Sequence, residues 1–236
     1  MLAFLLAACL LAWPLPVTLN EPSGLRGDYF NNLWNAWWVR DALVNGHSPY
    51  RTDFLYFPEG ISLARHTLSP LNSLSLAGLA SVLSPHAAFN VLLLAHFALS
   101  GWCFSLLARS VSGSTAGGLL AGLIYSFCPF HYFYLCQINV FSFEFLPLAL
   151  LCFLGYYRAG GWRWLSGLAL ATAGITMSAE YYVVYAYGAL AVLVACARNW
   201  APEVPWRRGL ARAAAGVGIG ALASIVFTTL TERVHD

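Results

Sequence analysis

Seven stretches of this chain are so apolar and so nearly free of charge that a water-facing role is excluded for most of their length. They cover residues 2–17, 88–108, 115–130, 139–157, 164–179, 182–197 and 213–230. A helix needs about 20 apolar residues, within a range of roughly 17–25, to cross a bilayer, and the seven runs lie in or just below that range. Charged residues make up only 9% of the 236, where a soluble domain carries about 25%. The expectation is an all-α, polytopic membrane protein with about seven transmembrane helices, built as a single module over residues 1–236.

The same arithmetic excludes other classes. So apolar a composition is incompatible with disorder. The formal net charge is +2, and every basic residue is an arginine; a nucleic-acid protein driven by a basic surface needs a far denser positive field, so no nucleic-acid partner is expected. The six cysteines, Cys9, Cys103, Cys128, Cys136, Cys152 and Cys196, are scattered through apolar runs with no C-x-x-C pair. Neither a disulfide framework nor a zinc site follows from that spacing. Leu6-Ala7-Ala8-Cys9 has the look of a lipoprotein box, but no basic residue precedes it, so residues 2–17 read as a first membrane helix ending at Pro14 and Pro16.

Arginine placement sets the sidedness. Short cytoplasmic loops collect basic residues. Arg109 follows one run, Arg158 and Arg163 flank Gly160-Gly161, and Arg198, Arg207, Arg208 and Arg212 fill the last polar loop. With these three loops inside, the turns at 131–138 and 179–181 face outward, and neither contains an arginine. Counting back places both ends of residues 18–87 on the outer face. The segment 67–84, apolar but interrupted by serines, Pro70 and Asn72, then reads as a re-entrant or juxtamembrane helix within one large external loop. The rival is a true crossing at 67–84, which would invert the N-terminus or leave Arg109 outside.

Within that loop, residues 29–45 predict an amphipathic helix. Phe30, Leu33, Trp34, Trp37 and Trp38 recur at helical spacing, with Asn31, Asn32, Asn35 and Arg40 set largely elsewhere. Tryptophan favours the headgroup level, so this helix is expected along the outer membrane surface. Gly46 is its expected stop, with Pro49 beyond. A Pro- and Gly-punctuated loop follows, carrying Arg51, Asp53, Glu59, Arg65 and His66.

Asp28 stands out among the polar residues, because it places a carboxylate at the water–headgroup boundary just before the amphipathic helix. Aspartate is also a favoured N-cap, and spacing alone leaves cap and catalysis open. Gln137, Glu144 and Glu180 lie at or near outward turns, and acids inside membrane segments are functional candidates by default. For His86 and His96, packing or interhelical bonding is the simpler expectation.

The order of features resembles membrane glycosyltransferases of the GT-C fold, including their uncharacterised bacterial members. The matching stretches are Gly27-Asp28 before Asn31-Asn32-Leu33-Trp34-Asn35-Ala36-Trp37-Trp38, then Phe57-Pro58-Glu59-Gly60 and His66. Ala88-Phe89-Asn90-Val91-Leu92, Cys128-Pro129-Phe130 and Phe145-Leu146-Pro147-Leu148 are similar to recurring pieces of the same proteins. The resemblance implies transfer of a sugar from a polyprenyl-phosphate-linked donor to an acceptor hydroxyl at the outer face. It implies membrane lipid as surroundings and a bacterial cytoplasmic membrane, with the loop facing the periplasm or exterior. On this reading Asp28 is the base or orients a metal, and Arg51, Arg65 and His66 meet the leaving phosphate. Gln137, Glu144 and Glu180 line the substrate site. A divalent cation is compatible with the resemblance but not required by the sequence. Two departures stand: 131–139 lacks the acid that many of these enzymes carry there, and the sequence stops at Asp236, which leaves open a fragment of a longer protein. A lipid or polysaccharide transporter or flippase, or a non-catalytic membrane subunit, is the alternative from another class.

Overall fold

The structure, a computed structural model, describes residues 1–23, 27–63, 66–179 and 181–233. Two of the expected site residues, Arg65 and Glu180, lie outside the described residues.

The chain is mostly helical. In order, the helices are α1 (Leu2–Leu11), α2 (Gly27–Asn45), α3 (Pro70–Leu79), α4 (Pro85–Ser112), α5 (Thr115–Ser126), α6 (Pro129–Phe133), α7 (Ile138–Phe141), α8 (Phe145–Ala159), α9 (Trp162–Ser178), α10 (Tyr181–Ala195), α11 (Ala197–Trp200) and α12 (Trp206–Arg233). Local chemistry sets many of the boundaries. Proline opens α3, α4 and α6, where its missing N–H costs nothing and its fixed φ suits the first turn. Gly46 (φ +70°) and Gly160 (φ +71°) follow the last turns of α2 and α8 at positive φ, which glycine adopts without steric cost.

Each of the seven apolar runs carries a helix, and most are shorter than the runs. Among the described residues two helical stretches are long and apolar enough to cross a membrane, Pro85–Ser112 and Ile138–Ala159. The second comprises α7 and α8, with Ser142–Glu144 between them. Helix α1 stops at Leu11, and the expected helix over 2–17 continues as a 3₁₀ turn at Leu15–Val17.

The chain divides into two compact units, one of Met1–Leu99, Ser126–Ser142 and the stretch from Thr228, the other of Ser100–Tyr125 and Phe143–Phe227. The first unit holds the expected external loop, and its two ends are tied together. Ser84 Oγ donates to Asn20 Oδ1 at 2.6 Å, and the buried Asn90 Nδ2 donates to Leu19 O and Glu21 O, both at 2.8 Å. Inside that closure, α3 has ten residues, about 15 Å by helical rise, half of the roughly 30 Å hydrocarbon core. The loop also contains a small antiparallel pair not expected from sequence, β1 (Arg51–Thr52) with β2 (Ile61–Ser62), registered Arg51 to Ser62 and Thr52 to Ile61. The core of the first unit includes Tyr29, Ala36, Leu76, Phe89, Leu93 and Phe97, with a second cluster of Trp38, Val39, Ala42, Leu63 and Leu68.

Helix α2 turns Asn32 and Asn35, not its whole apolar face, toward the protein. Phe30 and Trp37 are exposed, whereas Asn32 and Asn35 are buried. Buried amides need partners, and these have them: Asn32 Nδ2 donates to Asp28 O at 2.7 Å and to Cys136 O at 3.1 Å, and Asn35 Nδ2 donates to Thr67 O at 3.0 Å.

In the second unit, α8 and α9 form a tight hairpin around Gly160-Gly161. Arg212 of α12 donates to the carbonyls of Tyr157 (2.8 Å), Arg158 (2.6 Å) and Ala159 (3.3 Å), satisfying the C-terminal acceptors that α8 leaves open. Arg158 in turn donates to Trp200 O at 2.8 Å. The arginine-bearing 158–163 and 198–212 segments therefore meet at one end of this unit.

Candidate functional site

At the first turn of α2 two of the sequence candidates, Asp28 and Gln137, meet. Asp28 lies inside that turn and is exposed, so the expected N-cap position is corrected: the helix already includes Gly27. A carboxylate there still meets the favourable end of the helix dipole. Its Oδ2 accepts a short hydrogen bond from Gln137 Nε2. Asn32, one turn on, ties the Asp28 carbonyl to that of Cys136, so the segment carrying Gln137 is fastened to α2 at two adjacent points. Two residues named from sequence, 109 positions apart, are thus in direct contact.

Tyr29, the next residue, is fully buried, and its hydroxyl shares a 2.6 Å hydrogen bond with His86 Nδ1 at the start of α4. Burial, with a smaller contribution from Cys136, pushes the Tyr29 phenol up to about 12, so it remains protonated, and which group donates follows the His86 tautomer. This contact, a bond between helices of the kind expected for His86, anchors the turn that presents Asp28.

His66 lies alongside the same half of α2, its ring 6.5 Å from that of Trp34, while Asn31 Nδ2 donates to Thr67 Oγ1 at 2.9 Å. Burial lowers the His66 pKa below its usual 6.5. Burial disfavours the charged form and so favours the neutral imidazole, a hydrogen-bonding group. Its Nδ1 is buried with no partner among the described residues.

Arg51 is placed elsewhere. It lines an open cleft of about 350 Å³ with Trp38, His47 and Asp53, and Trp38 stands ten residues along α2 from Asp28, about 15 Å by helical rise. The expected meeting of Arg51 with Asp28 is not found. Glu144 belongs to the second unit. It sits immediately before α8 rather than a turn inside a continuous helix, almost fully buried, and accepts a long 3.5 Å hydrogen bond from Ser100 Oγ.

No family model, curated protein or solved structure matches this chain. Among the described residues no three His, Cys, Asp or Glu side chains group closely enough to hold a metal ion. The arrangement at α2 offers one exposed carboxylate, an amide that orients it, and a neutral imidazole nearby. Such a set can accept a proton from a bound hydroxyl.

Sequence reasoning passed over the amides that build this site. Asn72 Nδ2 donates to Ser142 Oγ at 2.5 Å, Ser69 Oγ at 2.8 Å and Ile138 O at 3.3 Å, holding α7 against α3. The available signal was an asparagine within an apolar stretch, at Asn72 and again at Asn90, since an amide there must be bonded.

Proposed function

We propose that the chain is a multi-pass membrane glycosyltransferase resembling the GT-C fold, with seven crossings and residues 18–87 on the outer face of a bacterial cytoplasmic membrane. The closed ends of 18–87 support the sidedness. Helices shorter than a flat bilayer requires are accommodated by local thinning.

The observation that carries the activity is the Asp28–Gln137 contact. An exposed carboxylate is fixed by a distant segment at the head of a Trp-rich helix, where a lipid-linked sugar and a hydroxyl acceptor would meet. In the proposed reaction Asp28 takes the proton of the acceptor hydroxyl. The acceptor oxygen bonds to the anomeric carbon as the bond from that carbon to the polyprenyl-phosphate oxygen breaks, and the electron pair leaves with the phosphate. Gln137 keeps the second lone pair of Asp28 aimed, and His66 offers a neutral hydrogen-bonding group. Arg65, beside it in sequence, supplies positive charge for the phosphate, the kind of electrostatic stabilisation that is usually largest.

The test is Asp28→Asn, which preserves size and hydrogen bonding but removes basicity. Full-length protein incubated with polyprenyl-phosphate sugars, with products read by mass spectrometry, should lose about 10²–10⁴-fold in rate, the usual contribution of general base catalysis. Near-normal transfer by the folded variant would remove Asp28 from the mechanism.

A further inference from the structure

The end of the second unit where α8, α9, α11 and α12 meet concentrates charge of one sign. Residues 157–164 and 196–212 carry Arg158, Arg163, Arg198, Arg207, Arg208 and Arg212 against one acid, Glu203. Three of these arginines have distinct settings. Arg212 is engaged by the carbonyls that end α8. Arg158 donates to Trp200 O and holds its guanidinium carbon 5.4 Å from the centre of the Trp200 ring. Arg198 stands likewise over Trp206, at 5.5 Å. An indole face attracts a guanidinium through its quadrupole but has no net charge. These two contacts therefore position the cations without neutralising them.

Beside Arg198 lies a cleft of about 310 Å³, at the lower end of the roughly 300–1,000 Å³ usual for small-molecule sites. Its floor is the buried Tyr157, and its rim is Arg198, Pro202, Pro205 and Trp206, all exposed. A ligand reaches the rim from the surface without displacing the floor. The floor itself is firmly packed: the Tyr157 ring lies 4.9 Å from that of Trp200, and a Cβ at Gly209 would overlap the Tyr157 hydroxyl. Trp206 and Leu210, both exposed, are one turn apart on α12 and extend the rim as an apolar strip.

Those parts match a lipid headgroup of negative charge. A phosphodiester accepts charge-assisted, often bidentate, hydrogen bonds from a guanidinium. Tryptophan favours the headgroup level, and the strip suits the first carbons of an acyl chain. A soluble polyanion would use the arginines but leave Trp206 and Leu210 in water. A choline head would bring its own cation against the same arginines. We propose that this cleft binds an anionic phospholipid, its phosphodiester on Arg198 and its glycerol backbone against Trp206. The site presupposes the membrane reading proposed above, and not the sugar-transfer chemistry.

The test titrates full-length protein in neutral detergent with dioleoyl-phosphatidylglycerol or dioleoyl-phosphatidylcholine, counting bound lipids by native mass spectrometry. The first phosphatidylglycerol should bind about tenfold more tightly than the first phosphatidylcholine, the scale of one charge-assisted hydrogen bond. Arg198→Gln, at an exposed position, should erase that preference and leave phosphatidylcholine binding unchanged. Arg40→Gln, also exposed but in the first unit, removes the same charge and should keep the preference. Millimolar inorganic phosphate should not displace the bound phosphatidylglycerol. Equal binding of the two lipids, a preference that survives Arg198→Gln, or one lost equally in Arg40→Gln would each overturn the proposal. Displacement by phosphate would overturn it in favour of a site for a free anion. Carbonate washing of membranes separates the two readings. Protein released by the wash would sink the membrane reading and this site together, whereas retained protein without a lipid preference overturns the site alone.

Discussion

At the scale of single residues, the clearest lesson is that burial, more than residue type, sets the chemistry around α2. His66 and Asp28 are both polar residues in an aromatic-rich loop, yet one is desolvated and the other faces water. Desolvation disfavours the charged imidazole, so the folded His66 pKa lies below its unfolded 6.5. A depressed folded pKa means that the unfolded state binds the proton more readily. The corresponding stability is fully present above about pH 6.5 and is lost as pH falls through the lower folded value. Thermal unfolding midpoints measured from pH 7.5 down to 4.5 should fall for the parent protein, and His66→Gln should flatten part of that acid limb. Identical acid limbs would mean that His66 is solvated. The same desolvation pushes the buried Tyr29 phenol up to about 12 and keeps it neutral in its contact with His86.

At the scale of elements, close packing depends on where side chains are missing. In the α8–α9 hairpin, a Cβ at Gly155 would run into the Trp164 ring, and one at Gly174 would come within 2.5 Å of Phe145. Small residues let helix backbones approach in this way in lipid as in water. Gly188 of α10 has nothing within 4 Å of where its Cβ would be. Gly155→Ala should therefore destabilise the protein by about 1–3 kcal/mol, the usual cost of overpacking. Gly188→Ala should be neutral or stabilise by roughly 0.5–1 kcal/mol through helix propensity. Midpoints of thermal unfolding in one detergent check the pair, and equal effects would mean that the α8–α9 contact is looser than described. The existence of both helices was legible in the sequence, as was the Gly160-Gly161 turn. The role of Arg212 was not: read as a charge in a polar loop, it proves to satisfy the carbonyls at the end of α8.

At the scale of the whole molecule, sidedness is the property with most consequence for function. Two arginine-bearing segments meet through Arg158, Trp200 and Arg212, so Ala159 and Glu203 should report the same face of the membrane. The ends of 18–87 are joined through Asn20, Ser84 and Asn90, and the proposed topology puts Glu59 and Ser84 on the outer face. In a background lacking the native cysteines, Glu59→Cys and Ser84→Cys should react with an impermeant maleimide from outside. Ala159→Cys and Glu203→Cys should react only after permeabilisation. Labelling of Glu59→Cys and Glu203→Cys from one face would end the seven-crossing arrangement.

The sequence by itself determined that the chain is helical, where its apolar helices fall, and that a polar, aromatic-rich segment stands apart from them. Those properties follow from local periodicity and from runs of residues that avoid water, and both are written continuously along the chain. It also singled out Asp28 and Gln137, each for its own position. Only the tertiary structure decided that the two touch, that α2 buries Asn32 and Asn35 while exposing Phe30 and Trp37, and that Arg51 lies in a separate cleft. An asparagine satisfied by a carbonyl more than a hundred residues away carries the same local signal as one facing water. What distinguishes them is the partner, and the partner exists only once the chain has folded.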